Sequence, residues 1–161
     1  MKRLIFVRHG KSSWDYDVID FDRPLKKRAY NDADHVISAF KAHLTFEVMV
    51  FSSPAQRAKT TAELFKNGLE ISDQRFEIVS ELYTFNSDEV LNFIKNLNNE
   101  FENVMIFGHN PAYTFLVNML GSLPIDNLPT TGLVSIEFNV DNWKVLEKGK
   151  THLYLFPKYL R

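Results

Sequence analysis

Hydrophobic residues fall in four short unbroken runs, each followed by a stretch where apolar residues recur every three or four positions. The runs are Leu4-Ile5-Phe6-Val7, Val48 to Phe51, Phe76 to Val79 and Val104 to Phe107. Continuous β-favouring runs of this length predict strands buried on both faces. The stretches between them have the period of amphipathic helices. Leu25, Ala29, Ala33, Val36, Ile37, Phe40 and Leu44 form the stripe of the first. The second starts at Pro54, because Ser52-Ser53-Pro54 reads as a cap followed by proline in the first helical turn. It carries Ala58, Ala62 and Phe65 inward and stops near Gly68. Ser87, Asp88 and Glu89 open the third, over Val90, Leu91, Ile94 and Leu97. Pro111 starts the fourth, with Phe115, Leu116, Met119 and Leu120 inward and Gly121 at its end.

This alternation predicts a parallel sheet with right-handed crossovers. After the fourth helix the pattern changes. Gly132 to Val140 alternates, Asp141-Asn142 makes a turn, and Trp143 to Leu146 and His152 to Phe156 read as extended. The expected architecture is therefore α/β: a three-layer α/β/α sandwich with a mainly parallel central sheet and antiparallel C-terminal edge strands. Nothing in the pattern marks a linker or a repeat, so a single domain over residues 1–161 is expected. Residues 11–24 have no clear period and read as a long loop, a length that in compact domains usually serves function.

Composition narrows the partners. A formal net charge of −1 gives no electrostatic footprint for nucleic acid or an anionic membrane. With no cysteine, disulfides, thiolate zinc sites and cysteine nucleophiles are excluded, and a reducing cytoplasm is compatible. The first apolar run is too short for a signal-peptide core, and no stretch approaches a membrane span. A soluble cytoplasmic protein with neither nucleic acid nor membrane as partner is expected. The oligomeric state is not encoded, and a monomer is compatible with the sequence.

Chemistry collects where the predicted strands end. The first hands over Arg8, His9 and Gly10, the second is followed by Arg57, the third by Glu81 and the fourth by His109. Ligands of open α/β sheets bind beyond the carboxyl ends of the strands. Arg8 and Arg57 are forked permanent cations suited to phosphate, and an imidazole can act as nucleophile, acid or base. Two arginines and two histidines at one rim suit a dianion whose charge spreads during phosphoryl transfer, with no metal or cofactor required. Glu81 is a candidate proton donor, and Asp15, Asp17, Asp20 and Asp22 in the first loop compete with it. His35, His43 and His152 lack ligand spacing and read as ordinary surface or packing residues. Trp14, Tyr16 and Phe21 either line the substrate entrance or anchor the loop.

Taken in order, Arg8-His9-Gly10, Ser53-Pro54 with Arg57, Ala58 and Thr61, and Gly108-His109 resemble the histidine phosphatase superfamily, with its phosphoglycerate mutase-like fold. The short length, Arg23-Pro24-Leu25, Glu81-Leu82 and His109 with Pro111 resemble its small SixA-type phosphohistidine phosphatases. Lys11 departs from the pattern, since many members carry an acidic or small polar residue there.

That resemblance implies that His9 is the nucleophile, phosphorylated in line, while Arg8, Arg57 and His109 surround the phosphoryl oxygens. It implies a metal-independent phosphatase acting on phosphohistidine in a protein, such as a signalling phosphotransfer domain. Little chain separates Phe65 from Glu81, leaving scant material for a roof, and an open site fits a protein-borne phosphate. A small phosphate ester is the substrate of the enzymatic alternative, a phosphomonoesterase or phosphoglycerate-mutase-like enzyme. A non-catalytic phospho-binding module is the alternative of another class.

Overall fold

The apolar runs become strands, and each is flanked by the helix that its neighbouring stripe predicts. The computed structural model describes residues 1–161. Its strands are β1 (Lys2–Arg8), β2 (Met49–Ser52), β3 (Phe76–Ile78), β4 (Asn103–Gly108), β5 (Leu133–Phe138) and β6 (Lys150–Leu155). The helices are α1 (Lys27–Lys41), α2 (Gln56–Gly68), α3 (Ser87–Lys95) and α4 (Ala112–Leu120). They form a single sheet in the order β3-β2-β4-β1-β5-β6. Neighbours among β3, β2, β4 and β1 pair in parallel, whereas β5 pairs antiparallel with β1 and β6 antiparallel with β5.

Side chains that alternate along β1 divide the core into two layers. Leu4 and Phe6 pack with Phe51, Val104 and Ile106 against α3 and α4. Ile5 and Val7 pack with Val50, Met105 and Phe107 against α1 and α2. The molecule is the expected three-layer α/β/α sandwich with a mainly parallel sheet.

Four local expectations differ from what the chain does. The second helix begins at Gln56, two residues after Pro54, and Ala55 precedes it without a side-chain cap; Ser53 is committed elsewhere, as described below. On α4 the buried stripe is Ala112, Tyr113, Leu116, Val117 and Leu120, leaving Phe115 and Met119 exposed on the opposite side. Trp143–Val145 is a 3-10 turn rather than a strand. There the buried Trp143 indole donates to the Phe101 carbonyl, and Asn142 accepts from the Lys144 amide. Alternation in β5 is largely lost because α4 covers one face and the other face packs in the α1–α2 layer.

Gly10, which follows His9 at the end of β1, has no positive φ. Its requirement is space: a Cβ there would lie 2.8 Å from the Ala29 Cβ of α1.

Candidate active site

Because β4 lies between β1 and β2, the carboxyl ends of three parallel strands meet at one rim. After β1 the chain passes to α1, and after β4 it passes to α4 on the opposite face. Such a divergence opens a crevice between the two strand ends. Arg8 stands level with Gly108 in the pairing of β1 with β4, so His9 and His109 emerge side by side. Their ring centroids are 5.3 Å apart.

Hydrogen bonds fix the tautomer of His9. Its Nδ1 lies 2.7 Å from the Gly10 carbonyl, which can only accept, so Nδ1 carries the proton and Nε2 keeps its lone pair. Arg57 Nε–H points at that Nε2 from 3.4 Å. Burial pushes the His9 pKa down to about 3; the Gly10 bond opposes this, and the charges of His109, Arg57 and Arg8 add to it. At neutral pH the ring is an uncharged imidazole with its free nitrogen facing the cations.

His109 is oriented by a different partner. Its Nδ1 faces Arg57 Nη2 at 3.5 Å, and arginine can only donate. The neutral ring therefore carries its proton on Nε2 and donates it to Ser53 Oγ at 2.8 Å. Ser53 Oγ also accepts from the Ala55 amide at 3.2 Å, so the serine read as a helix cap is a strap for His109. Burial, followed by the Arg57 charge, lowers the His109 pKa to about 3.

Both arginines reach the rim. Arg57, 2% exposed, sits on the first turn of α2. Its Nη1 donates to the Asp20 carbonyl at 2.8 Å and its Nη2 to Asp20 Oδ2 at 3.0 Å. The Arg8 Nη1 donates to the Leu128 carbonyl at 3.0 Å, while its Nε is buried without a partner. Burial and the neighbouring Arg57 charge lower the Arg8 pKa from its ordinary value. Thr61 ties the two halves of the cradle together: its hydroxyl accepts from the Gly10 amide at 2.9 Å and donates to the Arg57 carbonyl at 2.7 Å.

The structure thus brings Arg8, His9, Arg57 and His109 to one place, and Glu81 stays outside. Its side chain is exposed and hydrogen-bonds Ser80. The 3-10 turn after β3 buries Leu82 and so directs Glu81 to solvent, and the residue delivered to the cradle is Tyr83. The Tyr83 ring lies 5.6 Å from that of His109, and its hydroxyl donates to Asp20 Oδ2 at 2.7 Å. Of the four loop aspartates, Asp20 is the one that touches Arg57. Burial pushes the Asp20 carboxyl up, but hydrogen bonds from Tyr83 and Arg57 outweigh it and hold its pKa below the usual value.

Two histidines kept neutral in this way impose an acid limit on the fold. The unfolded chain takes up protons as the pH falls through about 6.5, whereas the folded site resists them until about 3. Stability is therefore lost progressively across that window. The urea midpoint of the wild type falls between pH 6.5 and 4, and the same plot is flatter for His109→Asn; parallel plots contradict the assignment.

An unprotonated imidazole among fixed cations suits an anion that the imidazole attacks, which is the requirement of histidine-based phosphoryl chemistry. Residues 4–85 match the histidine phosphatase superfamily (branch 1), and the chain belongs to that superfamily. The fold is similar to that of the protein histidine phosphatase SixA complexed with tungstate, with a TM-score of 0.83, 22% identity and 99% of each chain covered. It is also similar to a protein of Agrobacterium tumefaciens given the provisional name phosphohistidine phosphatase SixA. In that case the TM-score is 0.79, with 24% identity over 96% of this chain and 97% of that one. By sequence, an uncharacterized protein of Mycobacterium tuberculosis is 25% identical over 153 residues, 89% of this chain and 93% of that one.

Proposed function

We propose that the protein is a phosphatase that takes the phosphoryl group from phosphohistidine on another protein and passes it through His9 to water. The His9 Nε2 lone pair attacks phosphorus in line, forming the P–N bond as the bond to the departing imidazole breaks. The leaving ring departs as neutral imidazole when its distal nitrogen carries a proton. Arg57 Nε and Nη2, which span His9 and His109, meet the phosphoryl oxygens, and Arg8 adds charge at the same rim. Water then attacks phosphorus, the bond to His9 Nε2 breaks, and inorganic phosphate leaves.

The observation that carries the substrate class is the bonding of the carboxylate at the cradle, whose Oδ2 accepts from both Tyr83 and Arg57. An alkyl phosphate needs a proton for its leaving alkoxide, and a protonated carboxylic acid is the usual source. Those bonds to Oδ2 lower the Asp20 pKa and oppose its carrying a proton, while Glu81 is exposed and hydrogen-bonded to Ser80. Transfer from one imidazole to another is nearly balanced, and the proton it needs sits on the distal nitrogen of the leaving ring, where solvent supplies it, so no acid is required at the bond that breaks. The setting is also suited to a macromolecule. Trp14, Tyr16, Val18 and Ile19 are exposed on the loop that carries Asp20, and the half-exposed Phe85 packs edge-on to His109 at 5.3 Å. A cluster of exposed apolar side chains beside a charged cradle suits protein contact.

The test compares a histidine-bearing carrier protein phosphorylated with phosphoramidate against glycerol phosphate. Phosphate release from the carrier is expected to exceed that from the ester by at least about tenfold in kcat/KM, a difference of about 1.4 kcal/mol in transition-state stabilisation. Turnover of the ester without the carrier overturns the substrate assignment.

A further inference from the structure

Arginine can grip an anion by the end of its guanidinium, through Nη1 and Nη2, or by its side, through Nε and Nη2. In Arg57 the end is taken. Nη1 donates to the Asp20 carbonyl and Nη2 to the Asp20 carboxylate. What remains is the side, and it faces His9 Nε2 at 3.4 Å and His109 Nδ1 at 3.5 Å. We infer that Asp20 is a positioning residue, which clamps the far end of Arg57 so that the Nε–Nη2 edge is presented to the phosphoryl group between the two histidines. This rests on the cradle being the phosphate site, and it does not depend on which phosphorylated molecule enters.

Asp20 is itself held rigidly enough to do this. Tyr83 Oη donates to its Oδ2 at 2.7 Å, and Arg23 Nη1 to its Oδ1 at 3.3 Å. Arg23 is buried in turn: its Nη2 donates to Ser12 Oγ at 2.6 Å, its Nε to the Ser13 carbonyl at 3.2 Å, and its guanidinium lies 3.2 Å over the Trp14 ring. The unbroken series Trp14–Arg23–Asp20–Arg57 runs from the exposed loop to the nucleophile. The carboxylate also offsets the charge of Arg57, which is close enough to Arg8 to lower its pKa. Asp20 and phosphate meet different edges of Arg57, so they do not compete.

The experiment reads both binding and turnover. Orthovanadate binding by calorimetry and p-nitrophenyl phosphate hydrolysis are measured for wild type, Asp20→Ala, Arg57→Ala and the double variant. Outer residues that orient a reacting group typically contribute roughly ten- to a hundredfold. Asp20→Ala is expected to weaken vanadate binding by about tenfold and to lower kcat/KM by roughly ten- to a hundredfold. In the Arg57→Ala background the same change is expected to cost less than about twofold, because its route of action is already gone.

Asp20→Asn retains an acceptor oxygen and is expected to recover part of both losses. It also serves as the test if the alanine variant does not fold. Full additivity of Asp20→Ala and Arg57→Ala overturns the inference. So does tighter vanadate binding in Asp20→Ala, which makes Asp20 a competitor. A loss that leaves vanadate binding intact and grows as the leaving group becomes more basic also overturns it, since that is the signature of a proton donor. Vanadate binding tests Asp20 even if the wild type proves inactive towards every phosphate compound, so failure here is distinct from failure of the phosphatase reading.

Discussion

Replacing His9 with alanine lowers kcat by about ten-thousandfold or more, the scale seen when a nucleophile is removed from a preorganised site. The imidazole commits its Nδ1 to the Gly10 carbonyl, which leaves the unshared pair on Nε2 facing Arg57 and free to attack. Its neutrality at pH 7 means that no proton must leave before attack. Arg57 is held by Asp20, Arg8 by the Leu128 carbonyl and His109 by Ser53, so each keeps its place when His9 is truncated. Vanadate affinity in His9→Ala is therefore expected to change by less than about tenfold while turnover is lost. Calorimetry beside steady-state assays on p-nitrophenyl phosphate separates the two effects. Residual turnover above about one per cent of wild type removes His9 from the nucleophile's role.

Arg57→Ala has the second largest effect, roughly a hundred- to a thousandfold in kcat/KM, as for removal of a fixed donor at a developing charge. Two donors are lost from one edge, and Asp20 loses both of its Arg57 contacts. Arg57→Lys is expected to recover little of this. An ammonium is a point charge that cannot span His9 and His109 while also holding the Asp20 carbonyl and carboxylate. Recovery to within about threefold of wild type by lysine shows that charge alone matters and contradicts the edge geometry.

The fold and the cradle were legible in the sequence for the same reason. Strands buried on both faces leave long apolar runs, and in a parallel sheet the residues that follow those runs stand at one rim. Arg8, His9, Arg57 and His109 were readable from position alone, because β1, β4 and β2 are neighbours. The supporting residues were not, since each works through a contact set by tertiary packing. Ser53 has the chemistry of a helix cap, and only the pairing of β2 with β4 places it under His109. Asp20 was one of four aspartates in an aperiodic loop, and nothing local distinguishes it from Asp15, Asp17 or Asp22. Glu81 and Tyr83 lie two residues apart after β3, and the burial of Leu82 between them decides which one faces the cradle. Periodicity also misplaced Phe115 and Met119, because the apolar residues of α4 extend beyond one face and a stripe shifted by one position fits the sequence almost as well.

Rapid-quench analysis of the wild-type protein during turnover of p-nitrophenyl phosphate tests the central claim most directly. Peptide mapping under alkaline conditions is expected to find an acid-labile phosphoryl group on His9, formed and lost on the timescale of turnover. Turnover with no phosphorylated His9, or with the phosphoryl group on another residue, contradicts the account.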